Sequence, residues 1–318
     1  MTLLVTINGA GDNWSAERWR QRFKTALPAH DVVVEGCDRY DAATIRYAAV
    51  WKPVPGFLQS LPKLQVIFNL GAGVDAVLAD TTMPDVPLVR VVNDDLTHRM
   101  TEYVALHVLL HHRRLPRLLQ AQRERQWLAK DQWAASALRV GIMGLGELGR
   151  DAAEVLQRLG FRVAGWSRSP KALDDIETFS GEAGFAAFLR RTDILVALVP
   201  LTPETRGILD RKLFSLLARD GVLGAPVLIN AGRGGLQVEA DILAALNDGT
   251  LGAASLDVFE REPLPTESPL WSHPNVIVTP HNAADSDPDA IAADVAGQIL
   301  AFERGSPLRN VVDRSLGY

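Results

Sequence analysis

Residues 138–160 read LRVGIM, GLGELG and RDAAEVLQRLG in succession, and this stretch constrains the fold more than any other. An apolar, strand-like run enters a glycine-rich turn, and residues with helical spacing leave it. In a GxGxxG turn the first glycine allows a tight reversal, the second lets a pyrophosphate reach the backbone, and the third permits close packing of helix on strand. The helix N-terminus then offers unbonded N–H groups to the phosphates. Gly144, Leu145, Gly146, Glu147, Leu148 and Gly149 are therefore candidate dinucleotide contacts, against the plainer alternative of a turn with structural duties alone.

The next strand-like run ends at Trp166 and is followed by Ser167, Arg168, Ser169, Pro170 and Lys171. About 20 residues past such a turn, an acidic side chain ordinarily accepts hydrogen bonds from the ribose 2′-OH of NAD. Here the position holds an arginine flanked by serines. A guanidinium suits the 2′-phosphate of NADP, to which it makes charge-assisted and bidentate bonds. The serine hydroxyls can donate to the same oxygens and Lys171 adds charge. The segment points to NADPH in preference to NADH; the plain alternative is a polar turn with an exposed arginine.

Apolar, β-rich runs alternate with helical patterns along most of the chain, which marks an α/β fold with parallel sheets. The first series of strands is expected at 3–7, 32–35, 48–51, 66–69 and 88–91, with a helix over 14–27. A long helical pattern over 100–127 follows, and Pro116 should kink or break it because proline cannot donate an interior backbone bond. The second series is expected at 138–143, 162–166, 194–199, 227–230, 253–258 and 276–279. Apolar residues over 287–304 have helical spacing, and this helix is expected to return to the first unit. With 318 residues there is room for two domains of roughly 150 residues each. Residues 1–98 with 286–318 are expected to form a discontinuous substrate-binding domain, and 99–285 a cofactor-binding domain, with the active site in the cleft between these two Rossmann-like or flavodoxin-like units.

Lys and Arg number 33 and Asp and Glu 38, a net charge of −5 without a strongly basic run, so neither nucleic acid nor a membrane is an expected partner. A small molecule is. Cys37 is the single cysteine, which excludes a disulfide within the chain and fits a reducing, cytoplasmic setting, as does an N-terminus without the pattern of a signal peptide. His107 and His111 share a helical face, but no carboxylate pattern completes a metal site. They, with His98 and His112, are expected at a surface or interface.

Three further segments place polar side chains at the carboxyl ends of expected strands, where open α/β sheets bind ligands. They are NAGRGG (230–235), LDVFEREPLP (256–265) and TPHNAA (279–284). Arg233 offers a planar cation to hold the carboxylate of a 2-oxo acid and polarise its carbonyl. His281 ionises near neutrality and suits a proton donor, and Glu262 can orient it and favour its imidazolium form. Glu260, two residues earlier, reads as a solvated loop charge.

In this order GLGELG, NAGRGG, LDVFEREPLP and TPHNAA resemble the D-isomer-specific 2-hydroxyacid dehydrogenase family over nearly the whole chain. The resemblance implies that Arg233, Glu262 and His281 are the catalytic set. It also implies that Asp257 helps place the nicotinamide end, and that Ala231, Gly232, Arg233 and His281 touch the cofactor. NLGAGVD (69–75) is similar to the family's carboxylate loop, whose backbone N–H groups at Gly71, Ala72 and Gly73 form an anion nest. Residues 199–205 resemble its adenine-side loop, which brings in Pro200 and Thr205. WKP at 51–53, SRS at 167–169 and PLWSHP at 269–274 bring the match closer to the NADPH-dependent glyoxylate/hydroxypyruvate reductase A subgroup. By that resemblance Trp51 and Trp271 wall the substrate pocket, with core packing the alternative for each. A homodimer, with the stretch after Met100 at its interface, is implied in the same way. The expected activity is NADPH-dependent reduction of glyoxylate and hydroxypyruvate to glycolate and D-glycerate. The alternatives are a bulkier 2-oxo acid, such as phenylpyruvate or a branched-chain one, or a nucleotide-sensing binding protein on the same fold. Arg46, residues 93–95 and residues 123–133 match no motif.

Overall fold

The computed structural model describes residues 1–9, 14–129 and 131–317; Lys130, within the unmatched stretch 123–133, lies outside them. The chain divides into two compact units, Met1–Leu96 with Ser286–Tyr318, and Thr97–Asp285.

The first unit opens with β1 (Thr2–Ile7), α1 (Ala16–Ala26), β2 (Asp31–Val34), β3 (Ile45–Trp51), β4 (Val66–Asn69), α2 (Asp75–Leu78) and β5 (Leu88–Val89). The strands form a parallel sheet in the order β2-β1-β3-β4-β5. Its central strands are continuous apolar runs, because both faces of a parallel sheet are covered. In α1, Trp19 and Phe23 lie four residues apart, are fully buried and stack at 5.7 Å. They form its inward stripe.

The helical pattern breaks beside Pro116, as expected, with the break falling at 113–114. α3 (Asp94–His112) starts earlier than its apolar pattern suggests because Asn93 caps it, its Oδ1 accepting from the Leu96 N–H at 2.8 Å. Asn93 and Asp95, unmatched in the sequence, thus have local structural duties; the Asp95 carboxylate also accepts from the Asp287 N–H at 3.2 Å. The chain turns through a left-handed Arg114 into α4 (Leu115–Arg123), where Pro116 sits in the first turn and lacks only a donor that would have no helical partner. Arg46 likewise bonds locally, to the Lys63 carbonyl.

The second unit continues with β6 (Arg139–Met143), α5 (Glu147–Arg158), β7 (Arg162–Ser167), β8 (Glu177–Ser180), α6 (Gly181–Arg190) and β9 (Ile194–Ala197). It ends with α7 (Arg211–Leu216), β10 (Val227–Asn230), α8 (Glu239–Asn247), β11 (Ala253–Leu256) and β12 (Val276–Val278). The chain then returns to the first unit as α9 (Pro288–Glu303), capped by Asp287 and packed on α1. The second sheet is parallel in the order β12-β11-β10-β9-β6-β7-β8. Counted from β6, this is the doubly wound dinucleotide-binding order with one added strand, and the reversal falls between β6 and β9. The edge strand β8 was not expected, because its four residues are only partly buried and carry no apolar run. Among the described residues, no helix is long and apolar enough to cross a membrane.

Candidate active site

The turn after β6 lies at the point where strand order reverses, the usual place for a ligand in such a sheet. Gly144 has φ +113°, and a Cβ there would meet the Leu198 backbone at 2.8 Å. A Cβ on Gly149 would fall 1.8 Å from the Gly144 carbonyl oxygen, so helix and turn approach too closely for any side chain. At Gly146 nothing lies within 4 Å, and Gly146 begins α5 without a side-chain cap. Open space thus faces uncapped N–H groups, and this cradle fits a pyrophosphate. Leu145 is buried on Gly165 of β7, where a Cβ would meet its Cδ2 at 2.3 Å.

At the end of β7, the Ser167 hydroxyl donates to the Ser169 carbonyl at 2.7 Å, so the proton expected to reach a ligand here closes the loop instead. Arg168, Ser169 and Lys171 are exposed. The positive charge of Arg168 helps hold the Glu204 carboxyl below its usual range, after the larger effects of hydrogen bonds from Thr202 and the backbone. Arg168 therefore stands near the 200–205 loop, which Thr205 closes by donating to the Pro200 carbonyl at 2.7 Å. These two loops bound the ribose-side candidates.

Arg233, Glu262 and His281 follow β10, β11 and β12. Asn230, fully buried at the end of β10, shapes the arginine turn: its Oδ1 accepts from Gly232 N–H at 3.1 Å and its amide donates to the Arg233 carbonyl at 3.2 Å. Gly234 packs so closely on Phe259 that a Cβ would lie 1.7 Å from the carbonyl oxygen of Phe259. The Glu262 carboxylate accepts from the Phe259 N–H at 3.0 Å through Oε1, and its Oε2 lies 2.7 Å from His281 Nδ1. His281 is about half exposed, at 48% of its side chain, and its backbone is left-handed with φ 54°. Its Nδ1 faces the carboxylate, so Nε2 is the nitrogen left to exchange a proton with a ligand. Glu260 is exposed as expected, but its carboxylate also accepts from the Glu239 N–H at 2.9 Å and its own N–H donates to the Glu239 carboxylate at 2.8 Å, across the start of α8.

In the first unit Asn69 draws in the carbonyls of Gly71 and Gly73, at 2.7 and 3.0 Å, and so shapes the 71–73 loop. The Trp51 ring covers Gly71, where a Cβ would lie 2.4 Å from it, and packs on Trp14 at 5.0 Å. Trp271, 53% exposed, is not a core residue; its Nε1 donates to the Pro265 carbonyl at 3.0 Å. Asn69 and Asn230 went unassigned from sequence, although both end apolar runs directly before glycine turns.

The histidines correct one expectation. Of the four on α3, His107, His111 and His112 are buried and His98 is exposed. His107 Nδ1 and His111 Nε2 each lie 2.8 Å from the fully buried Ser255 Oγ. A hydroxyl has one proton, so at least one of these ring nitrogens is the donor. Burial pushes both imidazoles down to about 4, with the Asp257 charge opposing this at His107 and the His107 charge adding to it at His111.

Residues 105–283 match the family described as D-isomer specific 2-hydroxyacid dehydrogenase, NAD binding domain. The glyoxylate/hydroxypyruvate reductase A of Serratia proteamaculans is 40% identical over 96% of this chain and 97% of that enzyme. A solved NADPH-dependent glyoxylate/hydroxypyruvate reductase from Sinorhizobium meliloti, in complex with NADP and sulfate, superimposes with a TM-score of 0.93 at 48% identity, covering 100% of this chain and 99% of its own. A probable 2-hydroxyacid dehydrogenase from Rhizobium etli, in complex with NADP, HEPES and tartaric acid, gives 0.94 at 45% identity, covering 100% and 99%.

The neutral histidine pair makes stability depend on pH. Because both folded values lie below the ordinary histidine value, unfolding takes up protons as pH falls through the interval from about 6.5 to about 4. Stability is retained above that interval and lost within it, by up to about 1.4 kcal/mol per pH unit for each histidine. Urea denaturation at stepped pH reads this slope, and replacing both histidines with glutamine should flatten it.

Proposed function

We propose, given that this chain belongs to the D-isomer-specific 2-hydroxyacid dehydrogenase family, that it reduces small 2-oxo acids with NADPH. Glyoxylate and hydroxypyruvate come first, giving glycolate and D-glycerate. The observation that carries this reading is the 2.7 Å contact between Glu262 and His281, in the unit whose glycine turn fits a pyrophosphate. The relatives named for these substrates, and the solved neighbours holding NADP, support it.

The cofactor supplies a hydride to the carbonyl carbon. Gly144, Gly146 and Gly149, with the uncapped start of α5, hold its pyrophosphate, and Arg168 binds the 2′-phosphate with Ser169 and Lys171 close by. Asp257, Ala231 and Gly232 lie toward the nicotinamide end, and Pro200 and Thr205 toward the adenine. Arg233 holds the substrate carboxylate and stabilises the charge that grows on the carbonyl oxygen. His281 gives that oxygen a proton from Nε2, while Glu262 holds the ring through Nδ1. In the first unit the 71–73 backbone and Trp51 contribute to substrate recognition, and Trp271 does so in the second.

We also place the protein in the cytoplasm as a homodimer. α3 and α4 expose Leu106, Leu109, Leu115, Leu118 and Leu119, an apolar surface that a second copy would cover, and Trp127 beyond them is 96% exposed. Sedimentation at twice the 34.7 kDa chain mass supports the dimer and sedimentation as a monomer refutes it.

Steady-state reduction of glyoxylate and hydroxypyruvate with NADPH and with NADH tests the activity, with Arg168→Asp alongside. The wild type should favour NADPH, and the variant should lose that preference by about tenfold or more, since hydrogen bonds to charged groups contribute roughly 1.5–3 kcal/mol. Tight NADPH binding with no turnover of either acid would count against the reductase reading.

A further inference from the structure

Asp257 lies just past β11 and is buried, and its carboxylate is engaged by the segment that carries His281. It accepts from Thr279 Oγ1 at 2.6 Å, from the Asn282 N–H at 3.1 Å and from the Ala283 N–H at 3.0 Å. The His281 N–H donates to the Asp257 carbonyl at 2.8 Å. A left-handed backbone at a residue other than glycine persists only where its surroundings hold it, and these bonds do so at His281.

The clamp continues into α3. Thr279 has one hydroxyl proton and gives it to Asp257 Oδ1, while backbone N–H groups donate to both carboxylate oxygens. In the 2.9 Å contact between Tyr103 Oη and Thr279 Oγ1 the tyrosine must therefore be the donor. Burial raises the Tyr103 hydroxyl well above its ordinary value and keeps the proton in place. The result is an ordered chain from Tyr103 through Thr279 to Asp257, in which each bond polarises the next.

Its far end is braced as well. The Tyr103 ring stacks on His107 at 4.1 Å, and His107 and His111 both reach Ser255. Tyr103, His107 and His111 recur every four residues and form one stripe of α3. Ser255 and Asp257 are two residues apart on the β11 segment, where alternate side chains share a face. One helical stripe thus engages that segment twice, at Ser255 directly and at Asp257 through Thr279.

We propose that Tyr103 and Thr279 are positioning residues for His281, acting through Asp257 to hold the imidazole where it delivers its proton. This rests on His281 being the proton donor of the reductase reading above. Glu262 fixes the ring from Nδ1; the hydroxyl chain fixes the backbone beneath it.

Thr279→Val removes the hydroxyl at similar volume, Thr279→Ser keeps it, and Tyr103→Phe removes the outer donor. In glyoxylate reduction, Thr279→Val should lower kcat about tenfold with KM within about twofold, Thr279→Ser should restore kcat, and Tyr103→Phe should lower it less. Tyr103→Phe should add nothing in the Thr279→Val background, because the chain is then already broken. A second readout does not need turnover: the His281 ring resonance, assigned by its loss in His281→Gln, should be single in the wild type, broadened in Thr279→Val and restored in Thr279→Ser. Wild-type kcat and an unchanged His281 resonance in both Thr279→Val and Tyr103→Phe, with only the melting temperature lowered, would overturn the proposal. If the wild type turned over neither acid, the reductase reading would fail and the resonance would still decide the hydroxyl chain.

Discussion

Proton delivery needs the imidazole to be in one place, and here its backbone is held in a conformation that the histidine does not favour. His281 is left-handed, with its N–H on the Asp257 carbonyl and its neighbours on the Asp257 carboxylate. If that aspartate moved, the 2.7 Å contact between Glu262 and His281 would lose its base. In the proposed mechanism, proton delivery therefore depends on a buried carboxylate that need not touch the substrate. Burying a charge is costly unless it is fully bonded, which accounts for the donors gathered around it.

The same economy of placement runs through the second sheet. Each parallel strand ends on the same side, so Gly144, Asn230, Asp257 and the segment before His281 collect at one edge without long connections. Asn230 and Gly234 set the arginine turn; Gly144 and Gly149 set the phosphate turn. The Asn230 side chain holds its loop through hydrogen bonds, whereas at Gly234, Gly144 and Gly149 the backbone approaches too closely to admit any side chain.

Most of the parallel architecture was legible because buried strands read as continuous apolar runs and the turns between them carry glycine or proline. β8 was not, since an edge strand of four partly buried residues has no such run. The start of α3 was missed because its cap, Asn93, precedes the apolar pattern. At the candidate site, the contact between Glu262 and His281 was anticipated from chemistry and order. Tyr103, Thr279 and Ser255 could not be named in this way, because their roles arise from contacts between residues as far as 176 positions apart. His107 and His111 looked like surface residues for the same reason: nothing local announces the buried hydroxyl between them.

His281 is the proposed proton donor, and single-turnover reduction of glyoxylate by NADPH already bound to His281→Ala tests that role. NADPH affinity should stay close to wild type while the reduction rate falls by about 10²–10⁴, the usual contribution of a positioned general acid. Reduction at the wild-type rate, or loss of NADPH binding in proportion to loss of rate, would contradict that role.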